Sequence, residues 1–547
     1  MRVLICLLIT CNLYAQEFYY NQVGYFVDGE KYAVIDKTEL KSFSIISIKE
    51  GKKVYGGKIK ESGYWDQAGD DYSLLDFSDF KQEGEFYISV LDYGRSESFK
   101  ISKTPYHDVL KASVKAFYFN RSGTELLEEH AGIYARKAGH PDTSVKIHWS
   151  AEDTKRPKDM IISSPKGWYD AGDYNKYIVN SGISTYELLL AYDNFKSLFD
   201  TLELHIPESG NGQADLLDEI KWNIDWMLTM QDPNDGGVYH KLTTEVFSPH
   251  VMPEKAVGQR YVVRKSAAAA YDYAAVMAYV ARLNVLGNST EYLASAKRAI
   301  DWANANPDAK FKNPEGVLTG EYGDNSIGDE KIWAEMEYGF ASKSKVDKKL
   351  DYVGVPGWSY VSPLGVVSEI SSTGNTASKD AFLKQVDKMY SYYSQNIFRV
   401  SMGHNQSDFV WGSNSSATNQ GLLFVQAYRL TKDKKYLSAA SGLLDYILGK
   451  NPTGYSYVTG YGHKPPMRIH HRPSVDDGIE QPVPGFMAGG PHNGKQDGCT
   501  GYPSNYNAKC YFDDVCSYST NEIAINWNAP LVYLLAAMEY YSLKGEL

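Results

Sequence analysis

Between Phe18 and Ser102 the apolar residues come in short runs rather than in helical stripes. Tyr32–Ile35, Phe43–Ile48 and Phe86–Val90 are rich in β-branched and aromatic side chains. Turn formers such as Glu50-Gly51, Gly69-Asp70-Asp71 and Asp92-Tyr93-Gly94 separate runs of this kind. Phe86, Ile88 and Val90 alternate with residues of the opposite face, as in a half-buried strand. Strands at such short intervals predict a β-sandwich of the immunoglobulin type. Pro105 marks the join, and beyond it the period lengthens. In Asp215–Met230 the apolar residues Leu217, Ile220, Ile224 and Met227 recur at helical spacing. Similar stretches run near His107–Phe119, Gly182–Phe195, Ser266–Leu283, Tyr292–Ala303, Asp380–Gln395, Thr418–Leu430, Lys435–Leu448 and Pro530–Tyr541. Pro530 is expected in a first helical turn, where its missing N–H costs nothing. About ten to twelve such helices joined by long Gly-, Pro- and Asn-rich loops, with no parallel-strand pattern, predict an α-helical toroid.

A chain of 547 residues exceeds one ordinary core. The texture divides it into a leader over residues 1–15, a sandwich over 16–104 and a helical domain over 105–547. A hydrophobic fraction of 43% with 22% charged residues is that of a folded protein. Aromatic residues reach 14%, with 44 Tyr and 10 Trp, a surplus that suits a flat partner such as the face of a sugar. Tyrosine also packs helices while its hydroxyl stays wet, and most of these rings have that simpler use. The net charge of −11 argues against nucleic acid and anionic membranes, which need clustered Lys and Arg.

The leader MRVLICLLITCNLYAQ has one Arg, a short apolar run Val3–Ile9 and a more polar end, and reads as a secretory signal cleaved after Ala15. It is too short to span a membrane. A lipoprotein anchor at Cys11 is the competing reading, ranked lower because Thr10 is large for that position. The later Ala-rich stretch Ala267–Ala281 is broken by Asp272 and several tyrosines and is not a membrane span. A secreted or periplasmic protein is expected. Its mature part keeps Cys499, Cys510 and Cys516, close enough in sequence for one disulfide and one free thiol, while their spacing lacks the second close pair of a zinc site.

Three segments carry chemistry. In Gly167-Trp168-Tyr169-Asp170-Ala171-Gly172-Asp173-Tyr174 two carboxylates sit in a tight small-residue turn among aromatics, where they can hold a water between them. An Asx-turn or a calcium loop would look the same. Near the C-terminus, Glu522 precedes the apolar and aromatic stretch Ile523-Ala524-Ile525-Asn526-Trp527. Poor solvation would raise its pKa, as a general acid requires, whereas a nearby helix N-terminus would lower it. In Met467-Arg468-Ile469-His470-His471-Arg472-Pro473, adjacent His and Arg offer hydrogen-bond donors to sugar hydroxyls. Two adjacent His do not easily reach one ion from the same side, so metal ranks below that reading.

Together these segments resemble glycoside hydrolase family 9, the cellulase family with an (α/α)6 barrel. Its spacing of aromatic, acid, Glu and Asn residues is met by Tyr511, Asp513, Tyr518, Glu522, Ala524, Asn528 and Ala529. Ser456-Tyr457-Val458-Thr459 and Ile469-His470-His471-Arg472 resemble its histidine signature, and Asp170-Ala171-Gly172-Asp173 its nucleophilic-water motif. Asn21-Gln22-Val23-Gly24-Tyr25 resembles the opening of the immunoglobulin-like module that precedes many members. The resemblance spans nearly the whole mature chain. It implies a secreted endo-β-1,4-glucanase that acts with inversion, needs no catalytic cofactor and works as a monomer on a β-glucan polysaccharide or oligosaccharide. By residue, it implies Asp173 as general base, Asp170 as holder of the attacking water and Glu522 as general acid. Asp513 would support the site, His470 and Arg472 would bind the sugar beside the scissile bond, and His240 and Trp411 would contact substrate.

The resemblance also implies calcium at the acidic loop containing Asp324, Asp329 and Glu330, whose oxygen ligands suit that ion. It pairs Cys499 with Cys516 and leaves Cys510 free. It does not extend to the structural zinc of some members, because Asn120-Arg121-Ser122-Gly123 and Ala138-Gly139-His140 contain no cysteine. Two other functions share these residues: an exo-acting β-glucosidase or glucosaminidase on the same barrel, and a non-catalytic glycan-binding protein. A blocked cleft end would favour the first. The intact set of Asp170, Asp173 and Glu522 argues against the second.

Overall fold

A computed structural model describes residues 17–346 and 354–547. The expected leader over residues 1–15 lies outside the described residues. The chain opens with ten strands: β1 (Phe18–Tyr20), β2 (Gly24–Phe26), β3 (Tyr32–Asp36), β4 (Ser42–Ser47), β5 (Lys52–Lys58), β6 (Glu61–Trp65), β7 (Asp70–Asp76), β8 (Gly84–Val90), β9 (Gly94–Arg95) and β10 (Phe99–Ser102). They form one sheet in the order β1-β3-β7-β6 and another in the order β2-β10-β8-β4-β5, with β9 on β8. The alternation read from the sequence holds in β8, where Phe86, Ile88 and Val90 are buried and the residues between them are not. They meet Ile35 and Leu75 of the other sheet in a shared core, the face-to-face packing expected of a sandwich.

The β1-β3-β7-β6 sheet is apolar on both faces, and its outer face rests on the helical part of the chain. Phe398 is the wedge: its ring lies 4.8 Å from Tyr72 and 5.1 Å from Trp65. Burying such a ring contributes roughly 1.5–3 kcal/mol. The Asn21-Gln22 pair adds a polar clamp. Asn21 Nδ2 donates to Asp445 Oδ1 (2.8 Å), and Gln22 Oε1 accepts from the backbone N–H groups of His463 and Lys464 at 2.8 and 2.9 Å. The segment that resembled a module opening is therefore also its seam with the next domain.

From His107 onward the chain is helical. The helices Ile178–Phe199, Ala267–Leu283, Ser413–Thr431 and Ile525–Leu543 are buried nearly all round, as helices enclosed by other helices must be. Ile178–Phe199 packs on both Ala267–Leu283 and Ile525–Leu543, and the latter packs on Ser413–Thr431. Helices that keep a polar face, such as His107–Phe119, Asp215–Thr229 and Ser289–Ala305, lie against them, as does the almost wholly buried Lys435–Ile447. The expected helices are present, some with longer ends and others ending within a residue of the expected bounds, and Ser266 caps its helix by accepting from the N–H of Ala269 (3.2 Å).

Three expectations change. Pro530 is not in a first turn: its helix begins at Ile525, so the ring removes the bond to the Asn526 carbonyl. Ser415 Oγ donates to that carbonyl instead, at 3.3 Å. Helices Gly328–Ser342 and Ser362–Thr373 follow the loop read as acidic, and the first takes Asp329 and Glu330 into its opening turn. A small sheet was missed because its strands have two or three residues each: β11 (Val145–Ile147), β12 (Ile161–Ile162), β13 (Lys176–Tyr177), β14 (Lys241–Thr243) and β15 (Tyr261–Val262), in the order β12-β11-β15-β14-β13 with β11 and β15 parallel. Cys499 and Cys516 are disulfide-bonded, and Cys510 is a buried free thiol.

Candidate active site

A cleft of about 610 Å³ opens at the ends of the buried helices. Asp170, Asp173, Glu522, His470 and Arg472 line it, with one aromatic group in which Tyr322 meets Tyr177 and Trp358, another in which Trp411 meets Tyr518, Phe247 beside Arg472, and Trp527. The aromatic share of the composition is thus partly spent on this wall, while most tyrosines pack in the core.

Asp170 and Asp173 sit in the turn that enters β13 and the helix behind it. Asp173 Oδ2 accepts from the N–H of Asn175 (3.4 Å) and from its side chain, so the Asx-turn reading and the cleft reading are both correct. Asp170 accepts from Asn180 Nδ2 at 2.9 and 3.0 Å, and Tyr322 Oη donates to its Oδ2 at 2.9 Å. Tyr322 holds a left-handed backbone (φ 47°), a conformation costly for a bulky residue and typical of functional loops.

The Asp170–Asp173 turn meets the His470 and Glu522 segments at Gly172. A Cβ there would stand 2.2 Å from the His470 carbonyl oxygen, so only glycine fits. The Gly172 N–H donates to Glu522 Oε1 (3.3 Å), and its carbonyl accepts from Arg472 Nη1 (2.8 Å). His470 pairs with Glu522 in a parallel bridge, and its N–H donates to the Asn521 carbonyl (2.9 Å). Glu522 is therefore fixed within one hydrogen bond of the Asp170–Asp173 turn. Next to Trp411, Gly412 (φ 86°) lets Trp527 pack where a Cβ would lie 2.6 Å from its Nε1, and this seats Trp411 on the cleft wall.

Electrostatics separate the three carboxyls. Burial first, and then the neighbouring Asp173, push Asp170 up to about 8. Burial also raises Asp173, but the Arg472 guanidinium and the Asn175 hydrogen bonds oppose it. Glu522 is raised well above an ordinary glutamate by burial and by the charges of Asp173 and Asp170. Burial, the first of these causes, favours the poorly solvated reading of Glu522 over that of a residue governed by the helix beginning at Ile525. Burial lowers His470 to about 4, so it is neutral, and the Val515 carbonyl 2.7 Å from Nδ1 assigns the proton to that nitrogen.

Two expected residues stand behind the cleft rather than in it. Asp513 Oδ2 accepts from the N–H of Met467 (2.8 Å), and its Oδ1 from the N–H of Arg468 and from Asn521 Nδ2 (both 2.9 Å). It ties the histidine segment to the residue before Glu522 and is a positioning residue. His240 is fully buried, stacked on Phe311 at 3.7 Å, with Nδ1 at Ser266 Oγ (2.8 Å) and Nε2 at the Glu321 carbonyl (3.2 Å). Nδ1 is thus taken up by the cap of the Ala267–Leu283 helix and Nε2 by the 320–322 loop, and the buried ring does not face the cleft. Tyr322, Trp358, Tyr518, Phe247 and Asn180 join the expected site residues; of these Tyr518 stands in the motif around Glu522 and Tyr322 in a Gly-flanked acidic loop, while the others carry no local signal.

Two further acidic clusters differ in what they contain. Asp153, Asp232 and Asp235 converge on Lys265 Nζ at 3.4, 2.7 and 2.8 Å, so a side-chain ammonium fills that group. Asp272, Asp324, Asp329 and Glu330 form the other. Both carboxyl oxygens of Asp272 and of Glu330, and Oδ2 of Asp324, are buried without a hydrogen-bond partner. Burial and the Asp272 carboxyl push Glu330 up to about 11. Their ligand atoms do not converge as closely as those of the Lys265 group, but buried carboxyl oxygens without partners are of the hard type that a divalent cation such as calcium would satisfy. Asp272 joins the expected trio here. Its signal was the lone carboxylate in an otherwise Ala-rich buried helix. His140, the residue nearest the absent zinc motif, spends both ring nitrogens on Tyr169 Oη and the Ala256 carbonyl, each at 2.9 Å.

The Glycosyl hydrolase family 9 model matches residues 106–535, and the Cellulase N-terminal ig-like domain model matches residues 15–95. The chain is 40% identical to a xyloglucan-specific endo-β-1,4-glucanase of Bacteroides ovatus, over 96% of this chain and 94% of that protein. It is 32% identical to Endoglucanase D of Acetivibrio thermocellus, over 95% of this chain and 83% of that protein. A solved Bacteroides ovatus GH9 structure superposes with a TM-score of 0.89 at 39% identity, over 96% of this chain and 99% of that one.

Proposed function

The chain belongs to glycosyl hydrolase family 9 and is an endo-β-1,4-glucanase, and we propose that Asp173, Asp170 and Glu522 carry out its reaction with inversion. The observation that carries this assignment is the hydrogen bond from Gly172 to Glu522, which sets one raised carboxyl opposite a pair of carboxyls whose environments differ. Asp173, supported by Arg472, is the base that takes a proton from water. Asp170, held by Asn180 and Tyr322, orients that water. Glu522, whose burial favours the protonated form, gives its proton to the leaving glycosidic oxygen. Water enters from the Asp170–Asp173 side and the aglycone leaves on the Glu522 side, so the anomeric centre inverts; such acid–base pairs stand roughly 6.5–9.5 Å apart in inverting enzymes. His470 and Arg472 bind the sugar next to the scissile bond, and Trp411, Tyr518, Tyr322 and Trp358 offer faces to neighbouring sugars. The helical domain is read as an (α/α)6 barrel, with the helices buried all round as its inner ring.

No cofactor enters the reaction. Calcium at Asp272, Asp324, Asp329 and Glu330 would neutralise their orphaned oxygens and brace the loop that carries Tyr322. Secretion follows from the leader read in the sequence.

The test is incubation with carboxymethyl-cellulose, mixed-linkage β-glucan and xyloglucan, following viscosity and reducing ends together, with proton NMR of the first product. Xyloglucan is included because the 40%-identical relative is specific for it. A fast fall in viscosity with an α-anomeric product is expected. A β-anomeric first product would remove the inverting assignment, and release of single sugars without a viscosity change would move the enzyme to the exo-acting class.

A further inference from the structure

Outside the cleft, an apolar strip starts at Phe247 and crosses the small sheet. Phe247 lines the cleft, and the next residue outward, Val246, is 55% exposed. Glu245 then accepts from the N–H of Leu318 at 2.7 Å, which brings the 71%-exposed Leu318 side chain onto the same path. Thr243 pairs with Tyr261 across β14 and β15, Tyr261 pairs with Lys146 across β15 and β11, and Lys146 pairs with Ile161 across β11 and β12. Directly paired residues project to one face of a sheet, so these positions share the face that Leu318 overhangs. His148, two residues beyond Lys146 and hence on the same face, meets the Tyr261 ring at 5.5 Å and the Trp149 ring at 5.3 Å. Trp149 and Ile161 are 44% and 59% exposed. From β13, whose Tyr177 lines the cleft, to β11 the sheet spans roughly 14 Å at about 4.8 Å per strand.

We infer that this strip, from Phe247 over Leu318 and Tyr261 to Trp149 and Ile161, is a second binding surface for the glucan chain that is being cut in the cleft. The inference rests on the endo-glucanase reading, because an endo-acting enzyme holds a chain whose ends run out past the cleft. Three observations favour a neutral polysaccharide over a charged partner. The strip leaves the cleft wall at Phe247, its most exposed members (Val246, Leu318, Trp149 and Ile161) are apolar or aromatic, and the charges beside it are of both signs, Lys146 pairing with Asp159 at 3.5 Å and Glu245 bearing on His148 and Tyr261. Rings and branched side chains laid in a row suit the apolar faces of successive sugars.

The experiment uses the full chain and the double variant Trp149→Ala/Leu318→Ser, assayed on a soluble β-glucan polymer and on cellotetraose, which is too short to occupy cleft and strip together. The kcat/KM ratio of polymer to tetrasaccharide is expected to fall roughly five- to tenfold, the loss of about one stacked ring. An unchanged ratio overturns the inference. Affinity electrophoresis in gels containing the same polymer reads the strip independently of turnover, and the double variant is expected to migrate faster than the native protein. Equal migration overturns it. If the native enzyme cuts neither substrate, the endo-glucanase reading fails, and the gel alone then decides the strip. A native dimer in sedimentation that the double variant dissolves assigns the surface to a second copy of the chain and also overturns the inference.

Discussion

Asp170 and Asp173 are withdrawn from solvent much as Asp272 and Glu330 are, at 1% and 6% exposure against 1% and 0%. In both groups burial is the first cause of raised carboxyl pKa values. The groups differ in what can reach them. Each catalytic carboxyl lines the cleft, and hydrogen-bond donors from Asn175, Asn180, Tyr322 and Gly172 fix its oxygens. The Asp272 group has no such donors on five of its oxygens. A third cluster, around Lys265, has its cation built in. Clustered acid is thus not one signal: donors and an open wall suit proton transfer, orphaned oxygens suit a metal, and a buried ammonium suits structure alone.

Glu522→Gln tests the first side of the comparison and has the largest expected effect. Turnover on polymer should fall by about 10²–10⁴, while circular dichroism and glucan retention in affinity gels stay unchanged. The pH profile sharpens it. The acid must be protonated, so kcat/KM is lost as pH rises through the raised Glu522 pKa; the base must be ionised, so activity is lost as pH falls through that of Asp173. Asp170, at about 8, titrates with them, and the limbs belong to the group rather than to single residues. An alkaline limb near the ordinary glutamate value, about 4.3, would remove Glu522 as the acid.

Lys265→Met should come next. It leaves the fully buried Asp232 with only Arg156 as cation, at 3.4 Å, and uncompensated buried charge costs about 3–5 kcal/mol. Thermal unfolding should show the loss, and an unchanged Tm would mean that this cluster is not held by its lysine. Chelation probes the orphaned cluster. A ligand at a hundredfold excess over its Kd stabilises by about 2.7 kcal/mol, so EGTA should lower the Tm and calcium restore it. In Glu330→Gln the Tm should stop responding to either. A Tm indifferent to EGTA in the native enzyme would leave these carboxyls protonated rather than metal-bound.

Much of this was legible in the sequence because local pattern and global fold agree. Period-two runs such as Phe86–Val90 became strands, and stripes such as Asp215–Thr229 became helices. Pro530 misled because its compensation, the Ser415 hydroxyl, is 111 residues from the carbonyl it serves. The strands β11–β15 escaped because two or three residues carry no period. Among site residues, Asp170, Asp173 and Glu522 stand in dense local motifs. Trp358 and Phe247 reach the cleft only through tertiary folding, and nothing near them in the chain announces it. His240 shows the reverse: its neighbourhood looks functional, yet burial, one hydrogen bond to Ser266 and one to the Glu321 carbonyl commit it to the scaffold behind the wall.

Tyr322 joins the two halves of the comparison and gives the smallest effect, though the most informative one. Its hydroxyl donates to Asp170, its ring meets Tyr177 at 4.8 Å and Trp358 at 5.2 Å, and Asp324 follows two residues later. Removing the hydroxyl in Tyr322→Phe takes away a hydrogen bond that favours the charged form of Asp170. A bond to a charged group is worth about 1.5–3 kcal/mol, so kcat should fall by roughly 10- to 150-fold. The pH profile should move with it, because Asp170 then holds its proton to higher pH. Calcium should matter less in this variant. If the metal cluster acts on the cleft by bracing Tyr322, EGTA will depress the activity of the native enzyme and barely change that of Tyr322→Phe, while lowering the Tm of both. Equal losses of activity on chelation would show that the cluster stabilises the domain as a whole and reaches the catalytic carboxyls by no route through this loop.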